Sequence, residues 1–416
     1  MSDAPTPVYG ARPLGLPLKR GAVDFTDQQG MSTMLRLIGD AELPPVEQTT
    51  AEPFTGVTTD GTPLGDLFAL GDDGFDATAA ERAATGYLEL LDAEARSTAQ
   101  LPVDATEWQL WINAFLTFPE HGLLLQELGE PQRHAAMAVV SATLSPEGFD
   151  QLRAAMALNG RLGTFTGGYA DTLTEWCYWF TLFGDPADGV WGWQLQGHHI
   201  DVHRVIVGRQ LVGTPTFLGC EFHADEIFAE HRTRAREFMA SLSTGQRSKA
   251  LLYGSMLAPE LPAALAGSVD GRHRAGAGRD NLVLPYEGVR GDDLSAGRRE
   301  LLRGLVEPYL RPLPNAARRA RQAELDAYLH TTHLAWIGDW GEGSPFYYRV
   351  HSPVVLVEYD NHPGIFLDNE EPEPYHVHTI VRTPNGGDYG KALLRRHYAR
   401  EHDHSHDHAD PTGERA

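Results

Sequence analysis

Cysteine, positive charge and long apolar runs are all scarce in this sequence of 416 residues. The two cysteines, Cys177 and Cys220, are too few for a disulfide framework and are compatible with a reducing compartment. Lys and Arg together number 34 against 57 Asp and Glu, which gives a formal net charge of −23. A surface this acidic repels phosphate backbones, so we expect no nucleic-acid partner.

The sequence also lacks the features of a membrane or secreted protein. No apolar run approaches the roughly 20 residues that a membrane-spanning helix needs. Residues 1–20 lack the apolar core of a signal peptide. We therefore expect a cytoplasmic protein with no membrane partner. The oligomeric state cannot be read from the sequence.

The order of patterns along the chain predicts its organisation. Pro and Gly recur through residues 1–75, which predicts an irregular N-terminal segment that wraps around the rest. Residues 76–400 begin with helical spacing and continue with hairpin-like strands and further helices. This order predicts a single large α+β domain, in which a mostly antiparallel sheet built from hairpins is surrounded by helices. Residues 266–295, rich in Gly, Arg and Asp, are typical of a surface loop or lid, and residues 401–416 of a disordered His-rich tail.

The stretch Trp191–Gly219 carries the clearest strand pattern. Apolar and β-branched residues recur from Val202 to Val207 and again from Leu211 to Leu218, and Gly208-Arg209-Gln210 separates the two runs. This pattern predicts a hairpin. His198, His199 and His203 fall in its first strand or at the mouth of that strand. Because a strand alternates its faces, His199, Asp201 and His203 are predicted to point the same way.

A second histidine pair, His376 and His378, lies in another predicted strand and shares one face of it. Imidazole is the commonest metal ligand in proteins, and a metal site needs about three ligands that converge from rigid elements. We therefore interpret His198, His199, His376 and His378 as candidate ligands of a divalent metal ion, with zinc favoured and iron also open.

Carboxylates near these histidines are candidates for proton transfer. Glu358 and Asp360 share one face of a predicted strand, Glu221 follows the hairpin, and Asp201 lies within it. We take Glu358, Glu221 and Asp360 as the candidate catalytic residues. Three arginines on or near the predicted strands, Arg204, Arg349 and Arg382, are candidates for binding a carboxylate on a small polar or acidic substrate.

These residues leave several functions open. Three histidines on Zn²⁺ suit a hydrolase that activates water, which is the favoured interpretation. Two histidines and a carboxylate suit a non-haem iron oxygenase, and no HExxH or CxxC motif decides between the two. Histidine acting with Glu358 or Glu221 as general acid and base needs no metal. A non-catalytic metal-binding or metal-delivery protein is suggested by the tail, whose alternate histidines should bind divalent metals loosely: His402, His404, His406 and His408.

Four stretches resemble the domain of unknown function 3500 family of bacterial and fungal proteins. They are WGWQLQGHH (191–199), TPTFLG (214–219), YYRVHSPVVLVEYD (347–360) and HVHTIVRTPNGGDYGKALLRRHY (376–398). The resemblance is strongest in the second half of the chain and implies no particular activity. It implies that six candidate site residues match shared motifs: His198, His199, Glu358, Asp360, His376 and His378. Relatives often carry Asn at the position of His203, and the His-rich tail is not a general feature of the family.

Overall fold

A computed structural model of the chain describes residues 49–50, 52–113, 121–166, 173–262, 265, 271–364, 366–367 and 371–406. Residues 1–48, most of the predicted wrapping segment, and residues 407–416 of the predicted tail lie outside these ranges. Residues 52–75 are largely irregular and reach the rest of the chain through isolated bridges at Thr58 and Asp72.

Thirteen strands in the described ranges form a single sheet. They are β1 (Gln100–Leu101), β2 (Leu123–Leu124), β3 (Tyr178–Asp185), β4 (Val190–Gly197), β5 (Ile200–Val207), β6 (Gln210–Val212), β7 (Thr216–Cys220), β8 (Leu251–Tyr253), β9 (Val289–Arg290), β10 (His333–Gly338), β11 (Phe346–His351), β12 (Leu356–Asn361) and β13 (Val377–Arg382). The main path through the sheet is β1-β3-β4-β5-β7-β13-β12-β11-β10-β8. The pairs β1–β3 and β8–β10 are parallel and the remaining pairs are antiparallel.

The helices lie mostly before and between the hairpins. They are α1 (Thr78–Glu89), α2 (Ala93–Ala99), α3 (Glu130–Ala142), α4 (Pro146–Thr166), α5 (Asp225–Ser241), α6 (Thr244–Ala250), α7 (Ala296–Leu310), α8 (Asn315–Tyr328) and α9 (Lys391–His406). The predicted α+β class and the mostly antiparallel sheet are therefore confirmed. The hairpin predicted around Gly208 is also present, because β5 and β6 pair on either side of it.

The two faces of the sheet differ in what they carry. One face, which we call the apolar face, presents Trp193, Tyr348 and Tyr359, and these form one buried cluster with residues of α1, α3, α4, α5, α7 and α8. The other face, which we call the polar face, carries His378 beside Asp360, because these two residues pair directly across β13 and β12. Smaller apolar clusters on the polar face involve irregular segments and the start of α9. The sequence also predicts that helices surround the sheet, and this part of the prediction is not confirmed.

Residues 271–284, which we call the covering segment, lie against the polar face. Arg272, His273 and Asp280 in this segment are all buried. This differs from the surface loop expected for residues 266–295. The polar composition of the segment does not reflect exposure to solvent, because its backbone and side chains bond to charged groups of the sheet. The final helix α9 runs to His406, beyond the predicted boundary at Arg400.

Candidate metal centre

The centre begins at a tight turn between β4 and β5. β4 ends at Gly197 and β5 begins at Ile200, so His198 and His199 form a two-residue loop. His199 has φ +63°, a left-handed conformation that is uncommon for residues other than glycine. Its N–H donates to the carbonyl of Asn113 over 3.2 Å, and its own carbonyl accepts the N–H of Gly219 over 2.8 Å. These contacts hold the turn against β7.

Gly219 allows two imidazoles from different strands to meet. It lies between His199 on one side and His378, its partner in β13, on the other. A Cβ on Gly219 would lie 3.1 Å from Cδ2 of His378 and 3.3 Å from Cδ2 of His199. The rings therefore occupy the space above the glycine. His376, two residues before His378 and on the same face, supplies a third ring.

The Nε2 atoms of these three histidines converge. His376 and His378 are separated by 3.0 Å, His199 and His378 by 3.1 Å, and His199 and His376 by 3.4 Å. All three side chains are buried. Burial, and next the charge of neighbouring imidazoles, holds the pKa of each well below its ordinary value. At neutral pH the rings are therefore neutral and able to bind a metal.

The spacing is compatible with three ligands of one metal ion, although two of the distances are shorter than in an ideal tetrahedral site. A Zn–N bond of about 2.0–2.1 Å with tetrahedral angles separates the ligand nitrogens by about 3.3–3.4 Å. The three observed separations lie between 3.0 and 3.4 Å. Two of these nitrogens can hydrogen-bond to each other only where one of them carries a proton, whereas a cation between the three rings would be bound by all three lone pairs. In the described part of the chain these three histidines form a group of potential ligands close enough to share one ion.

His198, the fourth predicted ligand, does not join this group. Its ring stacks on that of His199, with centroids 3.9 Å apart, and its Nδ1 lies 2.7 Å from Oδ1 of Asn159. These contacts therefore indicate that His198 holds the ring of His199 in position. Direct binding of a metal by His198 stays a prediction.

His362 is a neighbour of the centre that sequence reasoning missed. Its ring lies 4.5 Å from that of His378 and 5.0 Å from that of His376. Its Nδ1 is 2.9 Å from the carbonyl of Pro363, which assigns the proton to Nδ1 and leaves a lone pair on Nε2. That Nε2 is buried without a hydrogen-bonding partner in the described residues, and burial lowers the pKa of His362 to about 4.

Two of the three candidate catalytic carboxylates hold the covering segment. Asp360 makes a bidentate ion pair with Arg272, with N–O distances of 2.5 and 2.8 Å. Glu358 accepts the backbone N–H groups of Arg274 and Ala275 and the hydroxyl of Tyr347. Such contacts favour a structural role for both.

Glu221, the third candidate, makes a similar anchor at the other side of the centre. Its Oε1 accepts the N–H groups of Phe366 and Leu367 at 2.6 and 2.9 Å. A small cleft beside it is also lined by His199 and Gly219. Glu221 lies next to the centre, and its role in catalysis stays a prediction.

A family model described as "Protein of unknown function (DUF3500)" matches residues 73–391. The chain belongs to this family. The matched region includes the three converging histidines and His362, and it ends at the first residue of α9. No curated protein and no solved structure matches the chain. In the described residues of this DUF3500 member, no helix is long and apolar enough to cross a membrane.

The three candidate substrate-binding arginines of this DUF3500 chain are engaged inside the protein. Arg382 is fully buried, bonds to Asp280 at 2.6 Å and donates to two carbonyls of the covering segment. Arg349 donates to Tyr347 and Glu287. Arg204 donates through Nη1 to two carbonyls and a threonine hydroxyl. These contacts favour structural roles, and a substrate role for any of them stays untested.

Asp201 and His203 share the polar face, as the two-residue period predicts, but they differ in their contacts. His203 bonds through Nε2 to Gln194 at 2.8 Å and through Nδ1 to the carbonyl of Pro215 at 2.9 Å. It is therefore a satisfied core histidine outside the centre. Asp201 is fully buried, and neither carboxyl oxygen has a hydrogen-bonding partner in the described residues.

Proposed function

We propose that this protein is a metal-dependent hydrolase of small polar molecules, with a zinc ion held by His199, His376 and His378. The observation that carries the proposal is the convergence of three buried Nε2 atoms at 3.0–3.4 Å. The rings come from a turn and a separate strand, so the arrangement depends on the tertiary fold. The scarcity of cysteine in the chain is compatible with action in the cytoplasm.

His199, His376 and His378 would hold the ion and leave a position open for water. A bound zinc ion would lower the pKa of that water to about 7 and would polarise a carbonyl oxygen of a substrate. The chain itself supplies neutral imidazoles and a sheet that fixes their positions. His362 supplies a second feature, because its unpartnered Nε2 can accept a hydrogen bond from water near the centre. We assign His362 the role of orienting that water.

The ligand set favours zinc hydrolysis over a non-haem iron oxygenase. The two-histidine-one-carboxylate arrangement needs a carboxylate at the ion. Asp360 is adjacent in register to His378, but both of its oxygens are paired with Arg272. An oxygenase that used Asp360 as its carboxylate would therefore need that buried ion pair to open. A third imidazole takes the place of the carboxylate without such a change.

The second candidate function is metal delivery. The observation that favours it is a lack of hydrogen bonds from the surrounding protein to the ligand imidazoles. Histidines that bind metals usually donate their other N–H to an acceptor, and loss of such partners typically lowers metal affinity about 10- to 100-fold. Nδ1 of His378 is buried and has no partner in the described residues. An exchangeable metal, passed on by the chain, would be consistent with this gap.

The metal site is tested by elemental analysis of the full chain purified without an added tag. In every version the tail histidines are replaced by Asn, so that loose binding there does not contribute: His402, His404, His406 and His408. We expect about one zinc per chain, and its loss in His199→Ala and His378→Ala. His203→Asn is the matched control, since His203 lies outside the centre, and it should keep the metal. Equal metal in all four proteins contradicts the proposal.

The reaction class is tested separately on the metal-loaded chain. Hydrolysis of 4-nitrophenyl acetate that disappears in His378→Ala and survives in His203→Asn supports a hydrolase. Oxygen consumption after loading with Fe(II), with no hydrolysis, supports the oxygenase instead. A bound metal that transfers quickly to a chelator, with neither activity, supports delivery.

A further inference from the structure

Asp201 is a buried carboxyl group close to the centre. Its exposed fraction is 0%, and both oxygens lack partners within the described part of the chain. By contrast, the buried carboxylates of Asp360 and Asp280 are paired with arginines. A buried polar group left unsatisfied is costly, and the few that natural proteins retain call for an explanation.

The register puts Asp201 one step from the metal centre. His199, in the turn that precedes β5, forms one row with Gly219 of β7 and His378 of β13. Asp201 pairs with Phe217 in the next row, and two residues along a strand span about 7 Å. The ring of Phe217 lies 5.2 Å from that of His378. Asp201 therefore shares the polar face with the centre, on the β5 side of Phe217.

Neighbouring polar side chains on this face hydrogen-bond to one another and not to Asp201. Gln196, which pairs with Asp201, contacts His121 at 3.1 Å, and His121 contacts Gln194 at 2.8 Å. Gln194 in turn contacts His203. The carboxyl is thus at the end of an ordered polar row, and its acceptor capacity remains unused.

The arginines proposed from the sequence as carboxylate clamps, Arg204, Arg349 and Arg382, are engaged with protein groups. The group left open beside the centre is a carboxyl, which offers oxygens that can accept hydrogen bonds. We propose that Asp201 binds a hydrogen-bond donor of the substrate, an N–H or O–H group, so that the substrate is a molecule rich in such donors. This inference rests on the proposed function and narrows its substrate class.

The test uses the zinc-loaded full chain and small probes that differ in hydrogen-bonding character. Acetamide presents N–H donors, ethylene glycol presents O–H donors, and acetate matches acetamide in shape but only accepts. Binding is measured by saturation-transfer NMR. Acetamide or ethylene glycol should bind the wild type, which also tells an N–H ligand from an O–H ligand. Asp201→Leu, which fills a similar volume and removes both carboxyl oxygens, should weaken that binding about tenfold.

Thr181→Val is the matched control. The hydroxyl of Thr181 is also buried and unpartnered on the polar face, two residues along the strands from the pairing of Gln196 with Asp201. Its removal tests the effect of deleting an unsatisfied group without touching Asp201, and probe binding should not change.

Three outcomes overturn the inference. These are equal probe binding by wild type and Asp201→Leu, no binding of either donor probe to the wild type, and loss of zinc from Asp201→Leu, which would make Asp201 a metal ligand. Zinc content is measured on the same samples. If the wild type holds no zinc, the proposed function fails by itself, and the probe comparison on the metal-free chain still decides the role of Asp201.

Discussion

The substitution Gly219→Ala isolates the geometry of the centre without removing any ligand. The new Cβ would lie 2.9 Å from the carbonyl oxygen of Val377, 3.1 Å from the His378 ring and 3.3 Å from the His199 ring. Side chains and backbone must therefore shift by a few tenths of an ångström. Metal–ligand distances tolerate only about 0.2 Å. A displacement of this size is enough to spoil one or two of the three bonds.

We expect two measurable effects from Gly219→Ala. Overpacking of the sheet should lower the free energy of unfolding by about 1–3 kcal/mol. Displacement of the rings should lower zinc affinity about 10- to 100-fold, as loss of supporting contacts does at other metal sites. Urea unfolding of the metal-free chain measures the first effect. Competition with a chromophoric chelator measures the second.

Gly245→Ala is the matched control for this prediction. Gly245 lies in α6, and a Cβ built there meets no atom within 4 Å. The control should keep wild-type zinc affinity and gain slightly in stability, because alanine favours a helix by up to about 1 kcal/mol over glycine. If Gly219→Ala binds zinc as tightly as the wild type while remaining folded, the reasoning about the crowded rings is wrong.

Three further predictions concern the surroundings of the centre. Arg272→Met should destabilise the fold by about 3–5 kcal/mol in urea unfolding, because it leaves Asp360 buried and unpaired, and a second change, Asp360→Leu, should recover much of the loss. Hydrogen bonding to Arg311 lowers the pKa of Glu230 to about 2 in the folded state, against about 4.5 when unfolded. Above pH 4.5, Glu230→Gln should therefore lower the free energy of unfolding by about 1 kcal/mol, a figure that is discounted because the side chain is partly exposed. This difference between variant and wild type should vanish as the pH falls through about 2. His362→Ala should keep zinc but lower hydrolysis of 4-nitrophenyl acetate more than tenfold; loss of the zinc itself would make His362 a ligand.

Much of the centre can be predicted from local patterns. Strand alternation places His376 and His378 on one face, and the same rule pairs Glu358 with Asp360. The next residue in that series is His362, which continues the alternation beyond Asp360 and could have been found by extending it. The pairing of His199 with His378 depends on β7 lying between β5 and β13, and no local pattern reports that strand order.

The roles of the charged residues were harder to predict, because composition does not show a partner. Arg382 and Asp280 are about a hundred residues apart in the chain and are paired in its core. The covering segment has the composition of an exposed loop, yet Arg272 in it neutralises Asp360. Burial of both members of such pairs is a property of the fold, so a sequence suggests charged candidates without showing which are already engaged.

Zinc K-edge X-ray absorption would show whether three histidines bind one zinc ion. The sample is the full chain with the tail histidines replaced by Asn and one equivalent of zinc added. We expect three imidazole nitrogens and one oxygen at about 2.0–2.1 Å, with the imidazole signal reduced in His376→Ala. A spectrum of zinc surrounded only by water oxygens, or one that His376→Ala leaves unchanged, would contradict this expectation.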